Sequence, residues 1–168
     1  CSADYDKNSE TTTLFFKTVQ NMMHYAVTKQ TAAEIIYDRA DAERPHMGLT
    51  TWKNAPDGRV IKSDVTVAKN YLSDKEVSSL NLLSSAFIDI AERRAKNHVL
   101  MTMADWKDFL IKYLKINNEA ILPDAGHITH EQAEQKALSE YEKFRVIQDK
   151  EILSDFDRHC KSLFNEKL

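Results

Sequence analysis

Five polar residues in the first part of the chain are of types that could do acid–base chemistry together: His24, Glu34, Arg39, Asp41 and Asp64. Carboxylates with a histidine can move a proton or hold a divalent cation. Three of the five also have a plainer duty. Glu34 follows Thr31 by three residues, the spacing of a capping box in which the Thr hydroxyl and the Glu carboxylate serve each other's amides. His24 lies on a mostly apolar helical stretch, where a satisfied core histidine is the commoner case. Arg39 is most simply an ion-pair partner. Arg39 and Asp41, two apart, diverge around a helix, whereas Glu34 and Asp38 share a face. No His-Glu-x-x-His spacing is present, so neither a metal nor a cofactor is expected.

A second group, Arg59, Lys62, Lys69, Asn70 and Tyr71, mixes cations, an amide and an aromatic, as a phosphate or nucleic-acid contact does. The net charge of −3 and a pI of about 6.1 supply no global basic field, so any such contact is local. The expected partner is a nucleic acid or a protein. Trp52 belongs beside this group either as a pocket wall or as a plug for the core. Asp89 and Glu92, one turn apart, read as a solvated helix face.

Several enzyme classes lose their footing on the motifs. Nucleophile-elbow glycines and a phosphate-cradling Gly-rich loop are both missing, and no His-Pro-Phe motif of Fic-type transferases occurs. Arg93 to His98 and Arg39 to His46 match the arginine–histidine spacing of HEPN-type ribonucleases. With 23 basic residues and 6 His, chance supplies such pairs readily.

The elements that must position these residues are helices. Average usage would give about twelve Gly and eight Pro in a chain of this length; the 168 residues hold 3 of each. So few turn-formers disfavour a many-stranded sheet and favour an all-α fold, an irregular bundle of six or seven helices with one long loop. Ser9 can cap a first helix carrying Phe15, Val19, Met22 and Ala26 at helical period. Thr31 with Glu34, Ser73 with Glu76, Thr102 with Asp105 and Thr129 with Gln132 mark further starts. A helix is also expected across Asp64, Lys69 and Asn70. The loop from Arg44 to Lys62 carries Pro45, Gly48, Pro56 and Gly58, with a short hairpin admissible at Asp57-Gly58.

From His130 to Leu168 the pattern is helical almost throughout. An unbroken helix of about 39 residues would be nearly 60 Å long, against about 40 Å for the diameter of a domain this size. Residues 1–147 therefore read as a helical domain and 148–168 as a C-terminal helical extension. The extension carries an apolar stripe of Ile152, Phe156, Cys160 and Leu163, with Leu153, Phe164 and Leu168 alongside. Either the polar run Gln148 to Glu151 breaks the helix and the stripe folds back, or the helix stays straight and the stripe pairs in a homodimer. A polar run without Gly or Pro is a poor kink, so the homodimer through this segment is the expectation. No apolar run reaches the ~20 residues of a membrane span, so no membrane partner is expected. Cys1 and Cys160 make no disulfide framework, and with no export signal the expected location is cytoplasmic. The opening at Cys1, without Met, reads as a piece of a longer protein.

Several stretches, in order, carry a resemblance: SADYD, VQNMMHYAV, TAAEIIYDRADAERPHMGLTTWK, DVTVAKNYL, MTMADW and EYEKF. From about Ser2 to Phe144 the chain resembles the RhuM family, bacterial proteins linked to pathogenicity islands and prophage-like elements. The resemblance implies a virulence-associated protein of which this is the C-terminal helical portion. That portion would act as a binding or effector module beside an upstream DNA-binding region that this chain lacks. Met22, Lys29-Gln30, the stretch Asn54 to Gly58 and the stretch Arg93 to Val99 depart from the family's wording. No reaction comes with the resemblance. The alternative it leaves standing is a toxin-like or nuclease-like enzyme built on His24, Glu34, Arg39, Asp41 and Asp64.

Overall fold

Local capping explains where the chain turns helical. In the computed structural model, which describes residues 2–6 and 8–165, with side chains through residue 150, the first four helices are α1 (Glu10–Thr28), α2 (Ala32–Arg39), α3 (Asp74–Lys96) and α4 (Met103–Ile116). The fifth, α5, is His130–Asn165. The Ser9 side chain accepts from the Thr12 amide at the head of α1. Complete capping boxes open α3, through Ser73 and Glu76, and α4, through Thr102 and Asp105. The described residues contain no strand, so the fold is all-α and the Asp57-Gly58 turn closes no hairpin.

Among the described residues the α-helices number five rather than six or seven. The missing one is the segment from Asp64 to Tyr71, of which only Ala68–Tyr71 closes into a 3-10 turn. The Asp64 carboxylate takes backbone amides from Ile61 and Lys53, and the Asn70 amide donates to the Asp64 carbonyl at 2.9 Å. The Asn70 side chain thereby claims a carbonyl that an α-helix would need for its own ladder.

The chain divides into two compact units, with the boundary inside α2. The first comprises Cys1–Ile35 and Leu72–Thr129. Here α1 packs on α3 and α4 around Met22, Met23, Ala26, Leu83, Leu110 and Leu114. Trp106, 6% exposed, meets Phe87 and Phe109 edge-on, as its place on the apolar side of α4 demands.

The second unit comprises Ile36–Tyr71 and His130–Leu168. Its core mixes loop residues Met47, Leu49, Trp52, Val60 and Val65 with Ala133, Ala137, Tyr141 and Phe144 of α5, all buried. Of the two alternatives for Gln148 to Glu151, the break is not there: α5 runs through the polar run as one helix. Gln148 explains why. Its side chain is buried, accepting from the Val60 amide at 2.8 Å and donating to the Val60 carbonyl at 3.3 Å. A polar residue thus continues the buried stripe instead of ending it. The apolar stripe of Ile152, Phe156, Cys160 and Leu163, with Leu153, Phe164 and Leu168, lies outside the residues whose side chains are described.

Candidate functional site

Of the five acid–base candidates, His24 and Glu34 fall in the first unit and Arg39, Asp41 and Asp64 in the second. His24 is half-buried on α1. Glu34 performs the capping task read from its spacing, with the Thr31 amide donating to Oε2 at 2.8 Å and Thr31 Oγ1 accepting from the Glu34 amide. It also does something the sequence does not announce, for the His127 amide donates to its other oxygen at 2.8 Å. Burial works to raise this carboxyl, but the hydrogen bonds from His127 and Thr31 outweigh it and hold it below the usual range. Gly126 is the glycine this contact needs: its φ is +84° and a Cβ would press on Thr31 and Glu34.

The other three organise the loop that follows α2. Arg39 donates to the Tyr71 carbonyl at 2.9 Å. The Asp41 amide donates to the Met47 carbonyl, while its carboxylate accepts from the Glu43 amide and pairs with Arg44 at 3.4 Å. Between them His46 and Met47 both take left-handed backbone at φ 50°, and Gly48 follows at φ +85°. A side chain at Gly48 would overlap the Arg39 carbonyl oxygen. Met47 is wholly buried, which holds this costly conformation in place. Asp64, 5% exposed, spends both carboxylate oxygens on the amides of Lys53 and Ile61.

The second candidate group separates by burial. Tyr71 is buried and donates to the Val65 carbonyl at 2.8 Å, and burial pushes its hydroxyl well above the ordinary tyrosine value. Asn70 accepts from Thr50 through its carbonyl, in addition to holding Asp64. Trp52 is buried, donates to the Gly58 carbonyl at 2.7 Å and leans on the His46 ring at 4.4 Å. Arg59, Lys62 and Lys69 are exposed. Arg59 pairs with Asp149 and, with Arg145, lines a cleft of about 320 Å³ floored by Val60, Tyr141 and Gln148. Arg145 pairs with Glu142 at 3.2 Å.

Sequence reasoning passed over Glu140. Its carboxylate accepts from the Ala42 amide at 2.9 Å, from Lys143 at 2.8 Å and from Lys136 at 3.0 Å. The Lys143 ammonium foremost, then the Ala42 amide, hold its carboxyl down to about 2. The available signal was its place, with Gln148, on the stripe Ala133, Ala137, Tyr141, Phe144, where a polar residue needs a partner.

Chemically, the second unit offers cations at its surface; its carboxylates Asp41, Asp64 and Glu140 are turned to backbone amides, whereas others, Glu43, Asp57 and Glu142 among them, are exposed. No group of three or more His, Cys, Asp or Glu stands ready to hold a metal among the described residues. No helix among them is long and apolar enough to cross a membrane. No curated protein and no solved structure matches the chain. The family model for the Virulence protein RhuM family does match it, over residues 1–152, eight residues beyond the Phe144 at which the resemblance was read to end. The chain accordingly belongs to the Virulence protein RhuM family.

Proposed function

We propose that this chain is a binding module of its family's proteins, working beside a DNA-binding region, and that the second unit contacts nucleic-acid phosphate. What carries the reading is the division of labour just described. Asp41, Asp64 and Glu140 spend carboxylate oxygens on backbone amides, whereas Arg59, Lys62, Lys69 and Arg145 hold their charge at the surface. A nuclease would need carboxylates turned toward a substrate. Phosphate contacts need only exposed cations on a fixed frame, and the Gln148 and Glu140 clamps fix it.

Arg59 would exchange its Asp149 partner for phosphate, so binding is modest and strongly salt-dependent. Anisotropy of labelled single- and double-stranded probes between about 50 and 200 mM salt tests this. Affinity should fall by orders of magnitude over that range. Lys62→Ala and Lys69→Ala should each weaken all sequences alike and reduce the salt slope by about one. Undetectable or salt-insensitive binding would remove nucleic acid from the partners of this unit. Cleavage of the probes by the wild-type chain would instead favour the nuclease-like alternative on His24, Glu34, Arg39, Asp41 and Asp64.

A further inference from the structure

A groove of the first unit runs between the C-terminal half of α3 and α4. It has a volume of about 810 Å³, with Ile90, Met101, Phe109 and Tyr113 among its walls and charged residues at its rim. Two of its lining residues are strongly exposed for their type, Leu100 at 85% and Ile116 at 81%, and Val99 beside them is 44% exposed. Single exposed apolar side chains need no explanation, but three lining one groove form a patch. Leu100 stands just before the N-terminal end of α4 and Ile116 is its last residue, so the hollow is flanked by apolar knobs.

The charges along α4 say what fits. Asp105, Asp108, Phe109, Lys112, Tyr113 and Ile116 all line the groove, at the three- and four-residue spacing of one helix face. Acid comes first along this face and base second. Asp108 stands two residues before Leu110 and Lys112 two residues after it. A pattern that reverses sign about its own midpoint complements itself when the helix meets an antiparallel copy.

We propose that the partner of this groove is a second copy of the chain, docked through α4 about a two-fold axis near Leu110. Asp108 of each protomer then faces Lys112 of the other, both on the same flank of the seam, as antiparallel helices require. The Ile116 knob of one protomer comes to the Val99–Met101 end of its partner's groove. A patch that carries both the knob and the hollow is what an isologous interface needs. Asp105 already caps α4 through the Thr102 amide and hydroxyl, so the Asp108–Lys112 pair carries the register.

Sedimentation equilibrium of the full chain decides it, with circular dichroism to show that each variant keeps its helix content. Asp108 and Lys112 are exposed, so their variants should fold. The wild type should sediment as a dimer. Asp108→Lys and Lys112→Asp should each weaken that dimer at least tenfold, the double reversal should restore it, and Ile116→Glu should abolish it. A wild-type monomer at the highest soluble concentration overturns the proposal, and so does a dimer indifferent to the single reversals. Single reversals that weaken the dimer without rescue in the double variant overturn the two-fold register. A dimer lost only when the chain is ended at Ile147 places the contact in the C-terminal helix instead. The result is independent of nucleic-acid binding, which concerns the other unit.

Discussion

Removing the Glu140 side chain tests how the second unit holds together. The carboxylate satisfies the amide of Ala42, itself only 5% exposed, and binds two lysines whose side chains are 37% and 62% exposed. In Glu140→Ala the buried amide loses its acceptor, at a cost of about 1–3 kcal/mol. The two exposed ion pairs add at most ~1 kcal/mol each. A total of about 1–5 kcal/mol follows for Ala. Glu140→Gln keeps an oxygen for Ala42 and loses only charge, so it should cost about 1 kcal/mol. Lys136→Ala and Lys143→Ala should each stay below ~1 kcal/mol. Urea unfolding at pH 7 measures all four. The sign of the pH effect is fixed by the lowered pKa of Glu140. An unfolded glutamate titrates near 4.3, whereas Glu140 does so at about 2. Its contribution is therefore complete above about pH 4.3 and lost as the pH falls toward 2. The gap between wild type and Glu140→Gln should close over that window. An alanine variant within ~0.5 kcal/mol of wild type would refute the account of the buried amide.

Two further substitutions probe the frame. Trp106→Ala should cost ~3–5 kcal/mol by emptying the aromatic cluster against Phe87 and Phe109, and a near-wild-type midpoint would mean that α4 presents another face. Gly48→Ala should destabilise by more than ~1 kcal/mol, because φ +85° is costly for any side chain and the Arg39 carbonyl occupies the space; thermal unfolding that is unchanged would show that the loop relaxes freely.

What could be read from the sequence was local. The caps at Ser9, Thr31, Ser73 and Thr102 each depend on residues within one turn, and each is present in the structure. The face of α4 followed from period alone. The segment from Asp64 to Tyr71 was not legible as non-helical, because the Asn70 side chain takes the Asp64 carbonyl while Asp64 itself reaches the Lys53 amide 11 positions away. Glu140 was passed over for the same reason at longer range, since its amide partner lies 98 positions back. Of the candidate site, the duties of Glu34 were half legible: the capping box lies within four residues, whereas the His127 contact spans 93 positions.

The second unit is built largely from a segment with little regular structure, and that fact bears on how its polar residues should be interpreted. A loop of this length carries many backbone amides and carbonyls that no helix ladder or sheet satisfies, and each one that is buried needs a partner. Arg39 supplies it to Tyr71, Asp64 to Lys53 and Ile61, Trp52 to Gly58, Glu140 to Ala42, and Gln148 to both polar groups of Val60. In the first unit the same work is done mainly by helices, and side-chain partners gather at their caps. A histidine, arginine or aspartate in such a loop therefore has a structural claim on it before any catalytic one. The side chains that escape this claim are those whose polar ends reach water, and in this unit they include Arg59, Lys62, Lys69 and Arg145. It is on such side chains, and not on Arg39, Asp64 or Glu140, that the proposed phosphate contact rests.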